Sequence, residues 1–179
     1  MPAGVLTPDL LTGFHGKLPA AGDFVSRGLP TGFVAFWDGW ATRHLARREG
    51  WPEGGLRLRL VSGGRAAAGV VVPGQDRVGR RFPLSAFVIA PALPAPEALA
   101  PWGNAVAALL VAAGQGGVLP DDLLIQLEAN APPEGAPESA AEGAAMLLWR
   151  DGCAPLACDP GVPDDALKNI FSCSGSSSL

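Results

Sequence analysis

The feature that most constrains the fold is a set of three apolar segments between residues 56 and 90, separated by short polar connections. The first, LRLRLV, alternates strictly, so that its leucines share one face of a strand while Arg57 and Arg59 share the other. This pattern predicts a half-buried strand with one wet or docking face. A hairpin turn at 62–65 leads into AAAGVVVP, and FPLSAFVIA is typical of a strand buried on both faces. Strands with such short connections favour an antiparallel sheet.

The segments around these strands complete a mixed pattern. GFHGKLP and DFVSRG are short β-type segments joined by a turn, and a helix with aromatic residues at three- and four-residue spacing follows from Thr31. Residues 94–113 and the segment PDDLLIQLEA predict two further helices. The order ββαβββα predicts an α+β fold, a mainly antiparallel sheet flanked by helices, similar to the longin and profilin-like class.

The composition changes after residue 130, where NAPPEGAPESAAEG has the character of a linker. We therefore expect an α+β domain over residues 1–130. Residues 131–179 are expected to form the linker and a short C-terminal extension that packs on this domain. Within the extension, AMLLWR predicts a last strand, GVPDDALKNIF carries a helix-start signature, and SCSGSSSL predicts disorder.

The charge and hydropathy of the 179-residue chain limit the classes of partner. Its net charge of −4 and its pI of about 5.1 disfavour nucleic acid, because a phosphate backbone requires a cationic surface. No segment reaches the ~20 apolar residues of a membrane span. No Lys or Arg precedes Lys17, as a secretory signal would require. These features predict a cytoplasmic protein without membrane insertion.

No catalytic or metal-binding constellation can be assembled from the sequence. There is no G-x-S-x-G motif, and the GK pair at 16–17 lacks the upstream glycine and the following Ser or Thr of a P-loop. His15 lies in a short strand and His44 on the aromatic helix, where structural roles are favoured. Three cysteines without zinc-site spacing lie near the C-terminus: Cys153, Cys158 and Cys173. We expect no catalytic residue, metal or cofactor.

Two polar blocks interrupt this apolar chain, GKLPAAGDFVSRGLP at 16–30 and GQDRVGRR at 74–81. Six of their charged residues form the candidate site, which we call the charged rim: Lys17, Asp23, Arg27, Asp76, Arg77 and Arg80. One interpretation is structural, in which each aspartate pairs with a basic residue of its own block and an exposed pair contributes about 0–1 kcal/mol. The other is functional, because guanidinium groups bind carboxylates and phosphates bidentately. The sequence leaves both open and predicts that the two blocks lie close in space.

The same two blocks carry a family resemblance. Residues 13–30 follow G-F-x-G-K-L-P-x-x-G-D-F-V-x-R-G-L-P, and F-x-x-x-W-D-x-W follows over 33–40. Residues 71–84 follow V-x-P-x-x-D-R-V-G-R-x-F-P-L. Together these motifs resemble the TagF family, also called ImpM, of accessory proteins of bacterial type VI secretion. The chain departs from the family pattern at VPGQDR, where MPSVDR is usual, and at Arg81, where an aromatic residue is common.

The resemblance implies a cytoplasmic post-translational regulator without established catalytic residues. Such a protein represses the assembly or firing of the secretion apparatus by binding its forkhead-associated scaffold protein, beside a threonine kinase and a PP2C-type phosphatase. The charged rim is then our candidate for the partner-binding surface. The alternative is a small phosphate- or nucleotide-binding module or enzyme that uses Lys17, Arg77 and Arg80. Whether the protein forms a homodimer stays open.

Overall fold

The computed structural model of the protein describes residues 9–62, 64–135 and 145–172, and these residues form four helices and one sheet. The strands are β1 (Leu11–Lys17), β2 (Phe24–Arg27), β3 (Leu56–Ser62), β4 (Arg65–Val72), β5 (Leu84–Ala90), β6 (Met146–Arg150) and β7 (Leu156–Cys158). The helices are α1 (Thr31–His44), α2 (Ala100–Gly114), α3 (Pro120–Glu128) and α4 (Asp164–Ser172). The strands lie in the order β2-β1-β5-β4-β3-β6-β7, and all neighbours are antiparallel.

This architecture confirms the α+β prediction. The elements from β1 to α2 follow the predicted order ββαβββα, and all seven residues of β5 are buried, as expected for a strand covered on both faces. The segment AMLLWR forms β6, which pairs with β3 so that Leu148 lies opposite Leu58. Residues 146–172 thus add two strands to the same sheet and a helix against it. Residues 136–144 of the expected linker, and SCSGSSSL after its first serine, lie outside the described residues.

Helices cover both faces of the sheet, because the central strands carry apolar side chains on both sides. On one face, α2 and α3 pack over a core that includes Phe14 and Val88. On the other face, α1 and α4 pack over a core that includes Leu58 and Phe87. Successive residues of β5 therefore supply opposite cores, which places the sheet as the middle of three layers.

The prediction that Arg57 and Arg59 lie on a wet or docking face is wrong, because both side chains are buried on the face that α2 covers. Nη2 of Arg57 donates to Oδ1 of Asn104 on α2 at 3.0 Å, and Nη1 lies 3.9 Å from the carboxylate of Asp151. Nη2 of Arg59 donates to the carbonyl of Leu93 at 2.8 Å. Burial lowers the pKa of Arg57, and the charge of Asp151 opposes this shift. Arginine stems can pack as apolar groups while their heads reach polar partners, so alternation alone does not distinguish wet from covered faces.

The aromatic helix α1 is attached to the sheet through its tryptophans. Trp37 is fully buried and donates its Nε1–H to Oγ of Ser85 on β5 at 2.8 Å. Trp40 donates its Nε1–H to the carbonyl of Pro160, also at 2.8 Å, and this bond ties α1 to the segment that precedes α4. Trp37 and Trp40 therefore mark the core face of α1, whereas Phe36 of the same aromatic pattern is 42% exposed.

Candidate functional site

The two polar blocks meet at one end of the sheet. Because β1 and β5 are antiparallel neighbours, the end of β1 at Lys17 lies beside the start of β5. The β1–β2 turn, residues 18–23, is therefore close to the β4–β5 connection, residues 73–83. The N–H of Arg77 donates to the carbonyl of Ala21 at 2.9 Å and joins the two loops directly. The expectation that the two blocks lie close in space is confirmed.

Asp76 is the centre of this junction. Its side chain is fully buried, and it accepts hydrogen bonds from the N–H groups of Val78 and Arg80, both at 3.0 Å. The Nε–H of Arg80 donates to its second oxygen at 2.7 Å, and Nζ of Lys17 lies 3.5 Å from the same oxygen. Burial alone would raise the pKa of Asp76, but the hydrogen bonds from Arg80 and Val78 outweigh it, and the pKa is lowered. The ionised carboxylate thus organises the β4–β5 connection.

Arg77 and Arg80 fasten the β1–β2 turn from the other loop. Nη2 of Arg77 donates to the carbonyl of Ala20, and Nη2 of Arg80 donates to the carbonyl of Gly22, each at 2.8 Å. The Arg80 side chain nevertheless remains 60% exposed, so it reaches solvent while it holds the turn. Together with Asp76, these two arginines make the loop pair one hydrogen-bonded unit.

The remaining members of the charged rim lie in three different environments. Lys17 is buried, with Nζ 4.8 Å from the centre of the Phe24 ring. Asp23 is exposed and accepts a hydrogen bond from the N–H of Phe24 at 2.8 Å, and within the described residues it forms no ion pair. Nε of Arg27 donates to Asp121, in the first turn of α3, at 2.9 Å. The structural interpretation, an ion pair within the same block, is therefore correct for Asp76, which pairs with Arg80. Among the described residues Asp23 forms no such pair.

Two exposed apolar side chains, which were not among the predicted site residues, lie beside members of the charged rim. Val78, in the β4–β5 connection, is 72% exposed, and Phe24, at the start of β2, is 46% exposed. The bond from the Val78 N–H to Asp76 fixes the backbone that carries this valine. An apolar anchor surrounded by arginines has the composition of a protein-docking surface. The sequence feature that could have indicated this anchor is the position of Val78 as a single apolar residue within the polar run DRVGR.

His15 belongs to a polar network that the sequence did not reveal. Its Nδ1 lies 2.7 Å from Oγ of Ser26, its cross-strand partner, and its Nε2 lies 2.9 Å from Oδ1 of Asp38 on α1. These are the side chains of a hydrolase triad, but the ring is reversed, because such triads present Nε2 to the serine. His15 is only 5% exposed, and its imidazole stacks on Phe24. The network therefore links β1, β2 and α1, in agreement with the structural role expected for His15.

Within the described ranges, no cluster of three or more His, Cys, Asp or Glu side chains is placed to hold a metal ion. Cys153 is exposed and Cys158 is half-buried, and burial together with Asp159 raises the pKa of the Cys158 thiol. Cys173 lies outside the described residues. Across these same ranges, none of the helices has the length and apolar character needed to span a membrane.

Residues 13–54, which run from β1 through α1 to the segment before β3, match the family model of the TagF N-terminal domain, described as type VI secretion system-associated. This segment is similar to a TagF N-terminal domain. The matched segment contains the first polar block and the helix anchored by Trp37 and Trp40, so it confirms the resemblance seen in those motifs. The match indicates a protein associated with type VI secretion.

A solved structure is similar over nearly the whole chain. The crystal structure of PA0076 from Pseudomonas aeruginosa PAO1 aligns with a TM-score of 0.64 and 24% identity. The alignment covers 94% of this chain and 97% of the PA0076 chain. At this level of identity the similarity shows a shared fold. No curated protein matches the sequence. The matched segment, residues 13–54, is therefore part of a larger fold that PA0076 shares.

Proposed function

We propose that this protein is a cytoplasmic accessory protein of a bacterial type VI secretion system. It represses the assembly or activity of the apparatus after translation by binding the forkhead-associated scaffold protein. The observation that carries this proposal is the TagF N-terminal domain at residues 13–54. The protein acts by binding and not by catalysis, without cofactor or nucleic acid, and its pathway includes a threonine kinase and a PP2C-type phosphatase.

The charged rim supplies the binding surface in this proposal. Its two loops are joined by the bonds of Arg77 and Arg80, so less conformational entropy is lost when a partner binds. On this frame Val78 offers an apolar anchor. The side chains of Arg27 and Arg80 are 42% and 60% exposed, so both are accessible to acidic groups of the partner. We therefore expect an apolar side chain of the scaffold protein at Val78, flanked by carboxylates.

The alternative, a phosphate held by Lys17, Arg77 and Arg80, has less support. Lys17 is buried against Asp76, and both arginines already donate to carbonyls of the β1–β2 turn. A phosphate at this position would displace the contacts that join the two loops. It would also bring its negative charge close to the buried carboxylate of Asp76, which is unfavourable at short range in a protein interior.

Co-purification with the forkhead-associated scaffold protein tests the proposal. Val78→Asp places a charge at the exposed anchor and should weaken binding about tenfold or more without changing the melting temperature. Arg77→Ala should also weaken binding, with some loss of stability because its bond to Ala20 is removed. Val162→Asp is the matched control, because Val162 is 71% exposed and follows β7, the edge strand opposite β2.

The outcomes separate the surface from the partner. If Val78→Asp and Arg77→Ala bind like the wild type while they remain folded, the charged rim is not the docking surface. If the wild-type protein does not co-purify with the scaffold protein, the proposed partner is wrong. Repression is measured separately as effector secretion from cells that overproduce the protein. The wild type and Val162→Asp should lower secretion, and Val78→Asp should not.

A further inference from the structure

A cavity of about 330 Å³ lies between the end of α1 and the β4–β5 connection. Residues 45–51 form one wall, and residues 73–74 and 81–83 form the other. Leu45 and Phe82, which line it, belong to the core that α1 shares with α4, so the cavity opens on that side of the sheet. It contains none of the charged-rim residues, and the proposed function does not use it.

The lining of this cavity is cationic. It contains one acidic side chain, Glu49, and three arginines: Arg47, Arg48 and Arg81. Two positive charges are therefore left without a counterpart in the lining. The side chains of Arg47 and Arg81 form neither a hydrogen bond nor an ion pair with any described residue. The arginines of the charged rim, in contrast, already donate to protein oxygens.

Arg48 is held in position at the same cavity. Its Nε–H donates to the carbonyl of His44 at 2.9 Å, and its guanidinium carbon lies 5.3 Å from the centre of the Phe171 ring. Its own carbonyl accepts the Nε1–H of Trp51 at 3.0 Å. These contacts order the turn after α1, and within the described residues no group accepts a bond from the Nη atoms of Arg48. Those atoms are available to a ligand.

The opposite wall is tightly packed at Gly74. A Cβ at this position would lie 2.6 Å from the carbonyl oxygen of Phe82 and 2.8 Å from that of Lys17, so only glycine fits without a backbone shift. The N–H of Phe82 also donates to the carbonyl of Gly74 at 3.0 Å. Trp51 and Leu45 add apolar surface to the lining. The cavity is therefore preformed, with a cationic part and an aromatic wall.

We propose that this cavity binds a small phosphate monoester. Arg47, Arg48 and Arg81 hold the phosphate, and its apolar or aromatic substituent packs against Trp51. A dianionic phosphate balances the two uncompensated positive charges, and guanidinium groups suit its oxygens because they donate bidentately. The volume lies at the lower end of the roughly 300–1,000 Å³ of ligand pockets, which favours a small molecule. This site does not depend on the proposed function.

Calorimetric titration of the full chain with phenyl phosphate tests this site, with benzoate as the monoanionic comparison. Phenyl phosphate should bind saturably, and benzoate at least about tenfold more weakly, because it offers half the charge and fewer acceptors. Arg47→Gln and Arg81→Gln should each raise the Kd for phenyl phosphate about tenfold or more. Arg65→Gln is the control, because this exposed arginine begins β4 at the opposite end of the strand from the cavity. In ¹⁵N-labelled protein, the amide shifts should change at residues 45–51 and at Gly74, Arg81 and Phe82.

Three results would overturn the proposal. The first is no saturable binding of phenyl phosphate to the folded wild type. The second is equal weakening by Arg65→Gln and Arg81→Gln, which would indicate non-specific attraction to surface charge. The third is equal affinity for benzoate and phenyl phosphate. If phenyl phosphate does not bind, the proposal of scaffold binding through Val78 is unaffected. Val78→Asp should lose scaffold binding and keep its affinity for phenyl phosphate. The two proposals therefore fail separately.

Discussion

The substitution Ser85→Ala tests how much the hydrogen bond between Trp37 and Ser85 contributes to holding α1 on the sheet. Trp37 and Ser85 are both 0% exposed, and the indole Nε1–H donates to Oγ at 2.8 Å. The substitution removes the acceptor and leaves the N–H group buried without a hydrogen bond. A buried donor in that state costs about 1–3 kcal/mol. We therefore expect the free energy of unfolding to fall by that amount, although Ala differs from Ser by a single oxygen.

Urea unfolding followed by far-UV circular dichroism provides the measurement. With a denaturant slope of about 2 kcal/mol/M, the expected loss lowers the midpoint by about 0.5–1.5 M and leaves the slope unchanged. Ser62→Ala is the matched control, because this serine is exposed at the end of β3 and its substitution should cost less than about 0.5 kcal/mol.

The cycle with Trp37→Phe isolates the hydrogen bond from other effects. Phe lacks the N–H donor, so Ser85→Ala should cost at least about 1 kcal/mol less in the Trp37→Phe background than in the wild type. The reasoning is refuted if the two costs are equal, or if Ser85→Ala alone moves the midpoint by no more than the Ser62→Ala control. Either result would mean that packing, and not this bond, attaches α1.

Three further changes test separate contacts. Asp76→Asn should destabilise the protein at about pH 5–8, where the lowered pKa of Asp76 stabilises the folded state. In urea titrations this deficit should shrink as the pH falls below about 4, and a pH-independent deficit would contradict the assignment. Gly69→Ala would overlap the ring of Phe87 and should cost about 1–3 kcal/mol; an unchanged urea midpoint would show that the ring moves freely. Arg27→Ala and Asp121→Ala should show a coupling of about 0–1 kcal/mol in a double-mutant cycle, because their ion pair is exposed; a larger value would show a structural role.

The candidate site was predictable in its location and not in its contacts. Antiparallel pairing of β1 with β5 brings the two polar blocks to one end of the sheet, because one block follows β1 and the other precedes β5. The contacts of Arg77 and Arg80 were not predictable, because their acceptors are backbone carbonyls of the other loop, 57 and 58 residues away in the chain. The exposure of Val78 likewise depends on how Asp76 turns the connection.

The sequence by itself determined the elements of this protein except β7, and most of their order. Period-two alternation, short turns and the three- and four-residue spacing of aromatic residues are local signals, since each depends on neighbours along one strand or helix. Only the tertiary structure decided what covers each face. Arg57 and Arg59 alternate as a wet face would, yet α2 covers that face of the sheet. Arg47 and Arg81 meet at one cavity only because the end of α1 packs beside the β4–β5 connection. Burial and side-chain pairing depend on distant segments, and no local pattern encodes that information.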